Sequence, residues 1–222
     1  MNANDALPIL GLTLRVGVLS TVICLPFATL LGYGLARGAF PFPSVIRAIF
    51  SLPMVMPPVA VGLLLLWLLG ASSPLAPIWT ALGIELVFTP AAAVIAAGVV
   101  GFPLLLRSAE QSFSEVDPSY EEMSHTLGVS QIATFFRVSL PLARRGLLYG
   151  SLLCFTRALG EFGATAVLAG IIPGRTETLS LAIWSRLQLG EDTGAAQLVG
   201  LSFLVALISM IAAERFLGRR RP

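Results

Sequence analysis

The alternation of apolar and polar positions divides the chain into long oily runs and one extended polar interval. Five runs, over residues 8–36, 48–69, 86–106, 142 to about 169, and 195–217, approach the roughly 20 residues needed to cross a hydrocarbon core. In lipid each run must be helical, because unpaired backbone groups find no water there. Prolines fall within or beside the runs at Pro26, Pro53, Pro57, Pro58, Pro90 and Pro103, which predicts a bundle with bent members. Residues 173–190 begin as a turn and then carry Leu179, Ile183 and Trp184 at helical spacing. That segment is too short to span, so it reads as an external or re-entrant helix and raises the count to six if included. The expected fold is an all-α integral membrane protein of about five transmembrane helices, forming one domain over residues 1–222.

The polar interval, residues 112–141, has its own pattern. Asp117 before Pro118 is a helix start, with the carboxylate capping free amides and proline in the first turn. Glu121 and Glu122 then lie near the positive end of the helix dipole, while Tyr120, Met123 and Leu127 share one face. Gly128 can end this helix in a left-handed conformation, and Ser130 can cap a second helix bearing Ile132, Phe135 and Phe136 on one stripe. Such a pair of short amphipathic helices can rest on lipid headgroups. Glu115, Asp117, Glu121 and Glu122 count against that use, since the inner leaflet is itself anionic. A protein partner is the other use.

Composition agrees with the pattern. Hydrophobic residues make up 56% of the 222 positions and charged residues 12%, against roughly 25% charged in a soluble domain, which excludes a water-soluble fold. The net charge of +2 hides an uneven layout of fourteen basic residues, all arginines. Arg37 and Arg47, then Arg107, Arg137, Arg144 and Arg145, then Arg215, Arg219, Arg220 and Arg221 fall on one side of a five-span protein. The positive-inside rule makes that side the cytoplasm, with the amino terminus outside and the carboxy terminus inside. Asp5 stands where a signal peptide would be basic, so the first apolar run is expected to stay in the mature protein. Small residues over 91–101 suit close helix packing.

Chemistry of the enzymatic kind is not visible. Cys24 and Cys154 sit in apolar runs without a CxxC pair and read as packing residues. His125 is the single histidine and has no HExxH or acidic cluster around it, so no metal site is expected. No nucleophile and base, and no ligand set, occurs in the spans, which speaks against an intramembrane enzyme and for no catalytic residue. A secondary transporter would be expected to show inverted repeats or many intramembrane charges, and neither is evident. All the basic residues being arginines, there is no lysine for a GxxxxGK[ST] phosphate loop. If ATP drives this protein, another polypeptide must bind it.

Glu122, Gly128, Val138, Leu140 and Pro141 stand at the spacing of the EAA loop: Glu-Ala-Ala, three residues, Gly, nine residues, an aliphatic, one residue, Leu-Pro. The chain departs from it with Met123 and Ser124 in place of the two alanines. In this it resembles permease subunits of bacterial ABC importers. Residues 155–188 and 52–66 are similar to the molybdate permeases of the ModB type, with Phe162 after Glu161 and the run Pro173, Gly174, Arg175, Thr176 favouring them over sulfate and thiosulfate permeases. Tungstate permeases are close enough to stand as an alternative. The resemblance implies that Glu121, Glu122, Met123, His125, Gly128, Leu140 and Pro141 form a cytoplasmic coupling loop seated on a separate ATPase, which holds ATP and Mg while this chain binds no cofactor. It further implies a second copy of the chain, an external molybdate-binding protein and membrane lipid as partners, with no nucleic acid.

Arg157 and Glu161 are the one oppositely charged pair deep in a predicted span, four residues apart on one helix face. A charge at the bilayer centre costs about 2.5 to 3.5 kcal/mol, so the pair should face the bundle interior or a watery cavity. Two roles stand open: a pathway or gate element for an oxyanion, together with Phe162 and Thr165, or a buried ion pair that fixes helix packing. Arg15 is expected to snorkel to headgroups.

Overall fold

A computed structural model describes residues 3–217. Every described element is helical: α1 (Ala3–Ala36), α2 (Pro43–Val55), α3 (Pro58–Leu69), α4 (Ala76–Ala81), α5 (Pro90–Ser114), α6 (Pro118–Thr126), α7 (Gln131–Thr134), a π-helical turn (Phe135–Ser139), α8 (Leu140–Leu159), α9 (Gly163–Leu168), α10 (Leu179–Gln188) and α11 (Asp192–Leu217). Arg219, Arg220 and Arg221, used above for orientation, lie outside the described residues.

Among the described residues, α1, α5 and α11 are long and apolar enough to cross a membrane, and a fourth crossing results if α2 and α3 are taken as one bent span. The five continuous runs read from the sequence are therefore corrected in two places. The run over 48–69 is broken by a bend of 113° between α2 and α3. Its cause is local: Met56 and Pro57 are extended, at ψ 148° and 131°, because a residue before proline is driven out of the helical region and neither Pro57 nor Pro58 can donate a helical hydrogen bond. The run over 142–169 stops at Leu159 and restarts as the separate short helix α9. Moreover α8 carries Arg144, Arg145 and Arg157 within twenty residues, so it is not apolar throughout.

The core is built on α5. Its small residues Ala92, Ala93, Ala96, Ala97 and Gly101 are buried, with Val16 of α1, Val61 of α3, Ala158 of α8 and Ala164 of α9 packed on or around them. Small side chains matter because helices in lipid gain their association from close van der Waals contact. At Gly101 an added Cβ would lie 2.8 Å from the Cys154 sulfur and 3.1 Å from the Cys154 carbonyl oxygen, so α8 can approach α5 only where no side chain intervenes. A second cluster, Ala109, Phe113, Val116, Phe135, Ala143 and Leu147, joins the far end of α5 to the polar interval and to α8.

Gly101→Val should lower the stability of the detergent-solubilised protein by about 1–3 kcal/mol through overpacking. Thermal denaturation followed by gel filtration should show the loss, whereas Gly11→Ala, with no atom within 4 Å of the new methyl, should leave the transition in place.

Candidate functional site

The polar interval folds as two short helices joined at a glycine. Asp117 Oδ1 accepts the Ser119 amide at 2.9 Å, which starts α6 and holds the aspartate below the usual carboxylate range. Gly128 has φ of +80°, and its amide and that of Val129 close the helix on His125 and Ser124 carbonyls at 2.9 and 3.1 Å. Ser130 Oγ accepts the Ala133 amide to start α7. The two helices are tied by Ser124 and Thr134, whose buried hydroxyls lie 2.9 Å apart.

The faces are distributed against the globular norm. Glu121 and Ser124 are buried, while Tyr120, Met123 and Leu127 all point to the outside, Leu127 being 79% exposed. The expected second stripe is split. Ile132 and Phe136 are exposed, but Phe135 is buried against Tyr33 and Phe113, with ring centroids 4.9 and 6.0 Å away. The π-helical turn after Thr134 changes the helical register there. Glu122 and Pro141 are exposed and Leu140 is half-buried. His125 is exposed, with Nδ1 3.2 Å from the Val129 carbonyl oxygen.

Glu121, expected with the rest of the loop to seat on an ATPase, turns inward with only 8% of its surface exposed. Arg37, at the end of α1, donates from Nε to Oε2 at 3.0 Å and from Nη2 to Oε1 at 2.8 Å, a bidentate pair. The Ser139 hydroxyl donates to Oε1 at 2.6 Å and the Tyr33 hydroxyl to Oε2 at 3.3 Å. Arg37 Nη2 also donates to the Val116 carbonyl at 3.1 Å. Burial alone would push the Glu121 carboxyl up, but the hydrogen bonds from Arg37 and Ser139 outweigh it and hold the group below its ordinary value. The Arg37 guanidinium is raised by the same hydrogen bond to Glu121. Arg37, Tyr33 and Ser139 were not legible as a site, because Arg37 and Glu121 are 84 residues apart and no local motif joins them.

Arg157 and Glu161 meet across the break between α8 and α9 instead of lying inside one continuous span. Glu161 is 2% exposed; its Oε1 accepts the Ala164 amide at 2.8 Å, capping α9, and its backbone carbonyl accepts the Ser180 hydroxyl at 2.6 Å. Oε2 lies 2.8 Å from Arg157 Nη2, a contact of charges without hydrogen-bond alignment. Glu161 thus joins α8, α9 and α10, while the Arg157 side chain is about one-third exposed. Phe162 packs on Trp184 with centroids 5.6 Å apart, and Thr165 is fully enclosed. A further tie runs from α1, where Thr13 Oγ1 accepts the Leu179 amide at 2.9 Å at the start of α10. Among the described residues no cluster of three or more His, Cys, Asp or Glu could hold a metal ion.

Glu121→Gln leaves the largely buried Arg37 charge unpaired and should cost about 3 kcal/mol. Limited proteolysis at the α6–α7 turn should report it as faster cleavage with unchanged membrane insertion. The carboxylate is depressed, so its contribution is complete at neutral pH and is lost as pH falls below about 4 through the folded value. Cleavage of the parent protein should accelerate over that window, and the variant should have lost this acid sensitivity.

Comparison with known proteins gives a consistent result. Residues 26–221 match the family model described as the binding-protein-dependent transport system inner membrane component. The chain is 37% identical over 205 residues to the molybdenum transport system permease protein ModB of Escherichia coli (strain K12), covering 91% of this chain and 90% of that protein. It is 36% identical to the putative molybdenum transport system permease protein YvgM of Bacillus subtilis (strain 168), covering 87% and 86%. It is 34% identical to the sulfate transport system permease protein CysW of Synechococcus elongatus, covering 94% and 74%. The fold superposes on a chain of the inward-facing MetNI methionine ABC transporter with a TM-score of 0.66 at 20% identity, covering 96% of this chain and 93% of that one. The crystal structure of an amino acid ABC transporter with histidines gives 0.65 at 16% identity, covering 98% and 94%. The chain, a multi-pass helical membrane protein with the ABC-importer permease fold, therefore belongs to the inner membrane components of binding-protein-dependent transport systems, which are transport permeases and not enzymes.

Proposed function

We propose that this chain is the translocating subunit of an ATP-driven importer of molybdate. The observation that carries the reading is the reversed elbow: polar side chains anchored inward on α1, and Tyr120, Met123, Leu127, Ile132 and Phe136 presented outward. An apolar surface backed by a satisfied ion pair is built to be covered by protein. In this reading an ABC ATPase subunit, carrying ATP and Mg, covers it, and Glu122, Met123, His125, Gly128, Leu140 and Pro141 shape the contact, with Glu121 holding it to the bundle. Two copies enclose one path, since the few crossings of one chain form a thin wall.

The arginine layout supports an amino terminus outside and a carboxy terminus in the cytoplasm of a bacterial inner membrane. It also supports a fifth crossing by α8, whose arginines lie at Arg144 and Arg145 near one end and at Arg157 near the other. ATP-driven closure of the ATPases presses the two elbows together and opens the path to an external binding protein; hydrolysis lets it relax inward. Arg157 lowers the barrier for an oxyanion at the break after α8, and Glu161, Phe162 and Thr165 set its position.

Molybdate is favoured by the molybdenum permeases among the relatives and by Phe162 and the run Pro173 to Thr176. Sulfate is the second reading, supported by the Synechococcus relative. Tungstate, a tetrahedral dianion of nearly the same size, shares the first reading's chemistry. ATP-driven uptake by the complex reconstituted in vesicles, with molybdate, tungstate and sulfate in competition, tests the reading. Uptake independent of the ATPase would overturn it.

Two variants probe the elbow. Gly128→Val forces a β-branched residue to φ +80°, at about 1–2 kcal/mol of strain, and should cut uptake roughly tenfold while ATP hydrolysis persists. Leu127→Glu places a charge on the apolar face and should release the ATPase during co-purification, with the fold unchanged.

A further inference from the structure

A groove of about 930 Å³ runs along α1 and the first turns of α5 and reaches the loop before α10. Its walls are mainly apolar, with Leu19, Ile23 and Ile95 among them, and Arg15, Arg175 and Glu177 are the charged residues lining it. Neither arginine makes an ion pair among the described residues.

Depth decides what such a groove meets. Arg15 and Arg37 are 22 residues apart on one helix, a rise of about 33 Å at 1.5 Å per residue, close to the roughly 30 Å of a hydrocarbon core. The Arg37 end carries the polar elbow, so Arg15 stands at the opposite headgroup layer. Pro90, the first residue of α5, lines the same groove and marks that layer independently. Leu19 and Ile23 follow Arg15 by one and two turns toward the membrane interior.

We infer that this groove holds an anionic phospholipid, its phosphate between Arg15 and Arg175 and one acyl chain along Leu19, Ile23 and Ile95. The match is of shape and charge together: cations at headgroup depth above an aliphatic wall suit an amphiphile, whereas a free inorganic anion would leave that wall unused. Two arginines against one Glu177 carboxylate give a surplus positive charge, which selects a lipid of net negative charge over a zwitterion. In phosphatidylglycerol the headgroup hydroxyls can donate to Glu177 while the phosphate accepts from the arginines.

The test reads bound lipid instead of transport, so it is separate from the fate of the importer reading. The purified protein in detergent is titrated with phosphatidylglycerol or phosphatidylcholine and examined by native mass spectrometry. Phosphatidylglycerol should be retained preferentially, and the double variant Arg15→Gln, Arg175→Gln should lose that preference, each arginine accounting for about a fivefold change. Gel filtration of the variant should match the parent. In a separate Leu19→Cys variant, phosphatidylglycerol should shield the new thiol from an apolar maleimide. Equal retention of both lipids, or unchanged retention in the double variant, would overturn the proposal. So would shielding of the Leu19→Cys thiol in lipid-free dimers, since a second copy would then occupy the groove.

Discussion

The Glu121 carboxylate is buried where a membrane helix ends, and a charge in that position persists only with every lone pair engaged. Arg37 and Ser139 supply the close donors, Tyr33 a longer one. Because these partners come from α1 and from the turn before α8, the elbow cannot be displaced without moving both. The aromatic cluster of Tyr33, Phe113 and Phe135 adjoins the ion pair through Tyr33, whose ring centroid lies 5.9 Å from the Arg37 guanidinium carbon. Polar anchor and apolar support act as one unit, and the outward position of Met123 and Leu127 follows, since α6 has turned Glu121 and Ser124 inward.

A second polar residue organises the opposite region. Glu161 sits where α8 stops, caps α9 through Ala164 and receives Ser180 from α10. A continuous helix through residues 142–169 would have left this carboxylate with Arg157 alone. The break supplies the carboxylate with the Ala164 amide and frees the Glu161 backbone carbonyl to accept the Ser180 hydroxyl, in exchange for a few helical hydrogen bonds. Thr13 fastens the start of α10 to α1 in the same manner.

The all-helical fold, the two elbow helices and the turn at Gly128 were legible because they rest on local chemistry: runs of apolar residues, Asp117 before Pro118, a glycine between two amphipathic stretches. The break after Met56 was legible as prolines but not as a bend of 113°, because proline in lipid gives either a gentle kink or a full interruption according to its neighbours. The inward turn of Glu121 was not legible at all. Its partner is Arg37, far away in the chain, and a carboxylate in the first turn of a helix is ordinarily satisfied by the dipole and solvent. Ile132, Phe135 and Phe136 were expected on one stripe, and the π-helical turn instead sends Phe135 inward and leaves the other two outside.

The bend between α2 and α3 divides one stretch of apolar sequence between two neighbourhoods. On one side Arg47 of α2 is paired with Glu110 of α5 at 2.7 Å. On the other, Gly62 of α3 lies so near Ala164 of α9 that a methyl there would come within 2.8 Å of the Ala164 Cα. At the joint between them the Met56 amide closes α2 on the Leu52 carbonyl at 2.9 Å and the Pro57 carbonyl accepts the Ala60 amide of α3 at 2.9 Å, while Pro57 and Pro58 have no amide to donate. The joint thus turns the chain through 113° and lets one apolar stretch reach two sides of a shared core, since Val61 of α3 and Ala164 of α9 pack with α5 in one buried cluster.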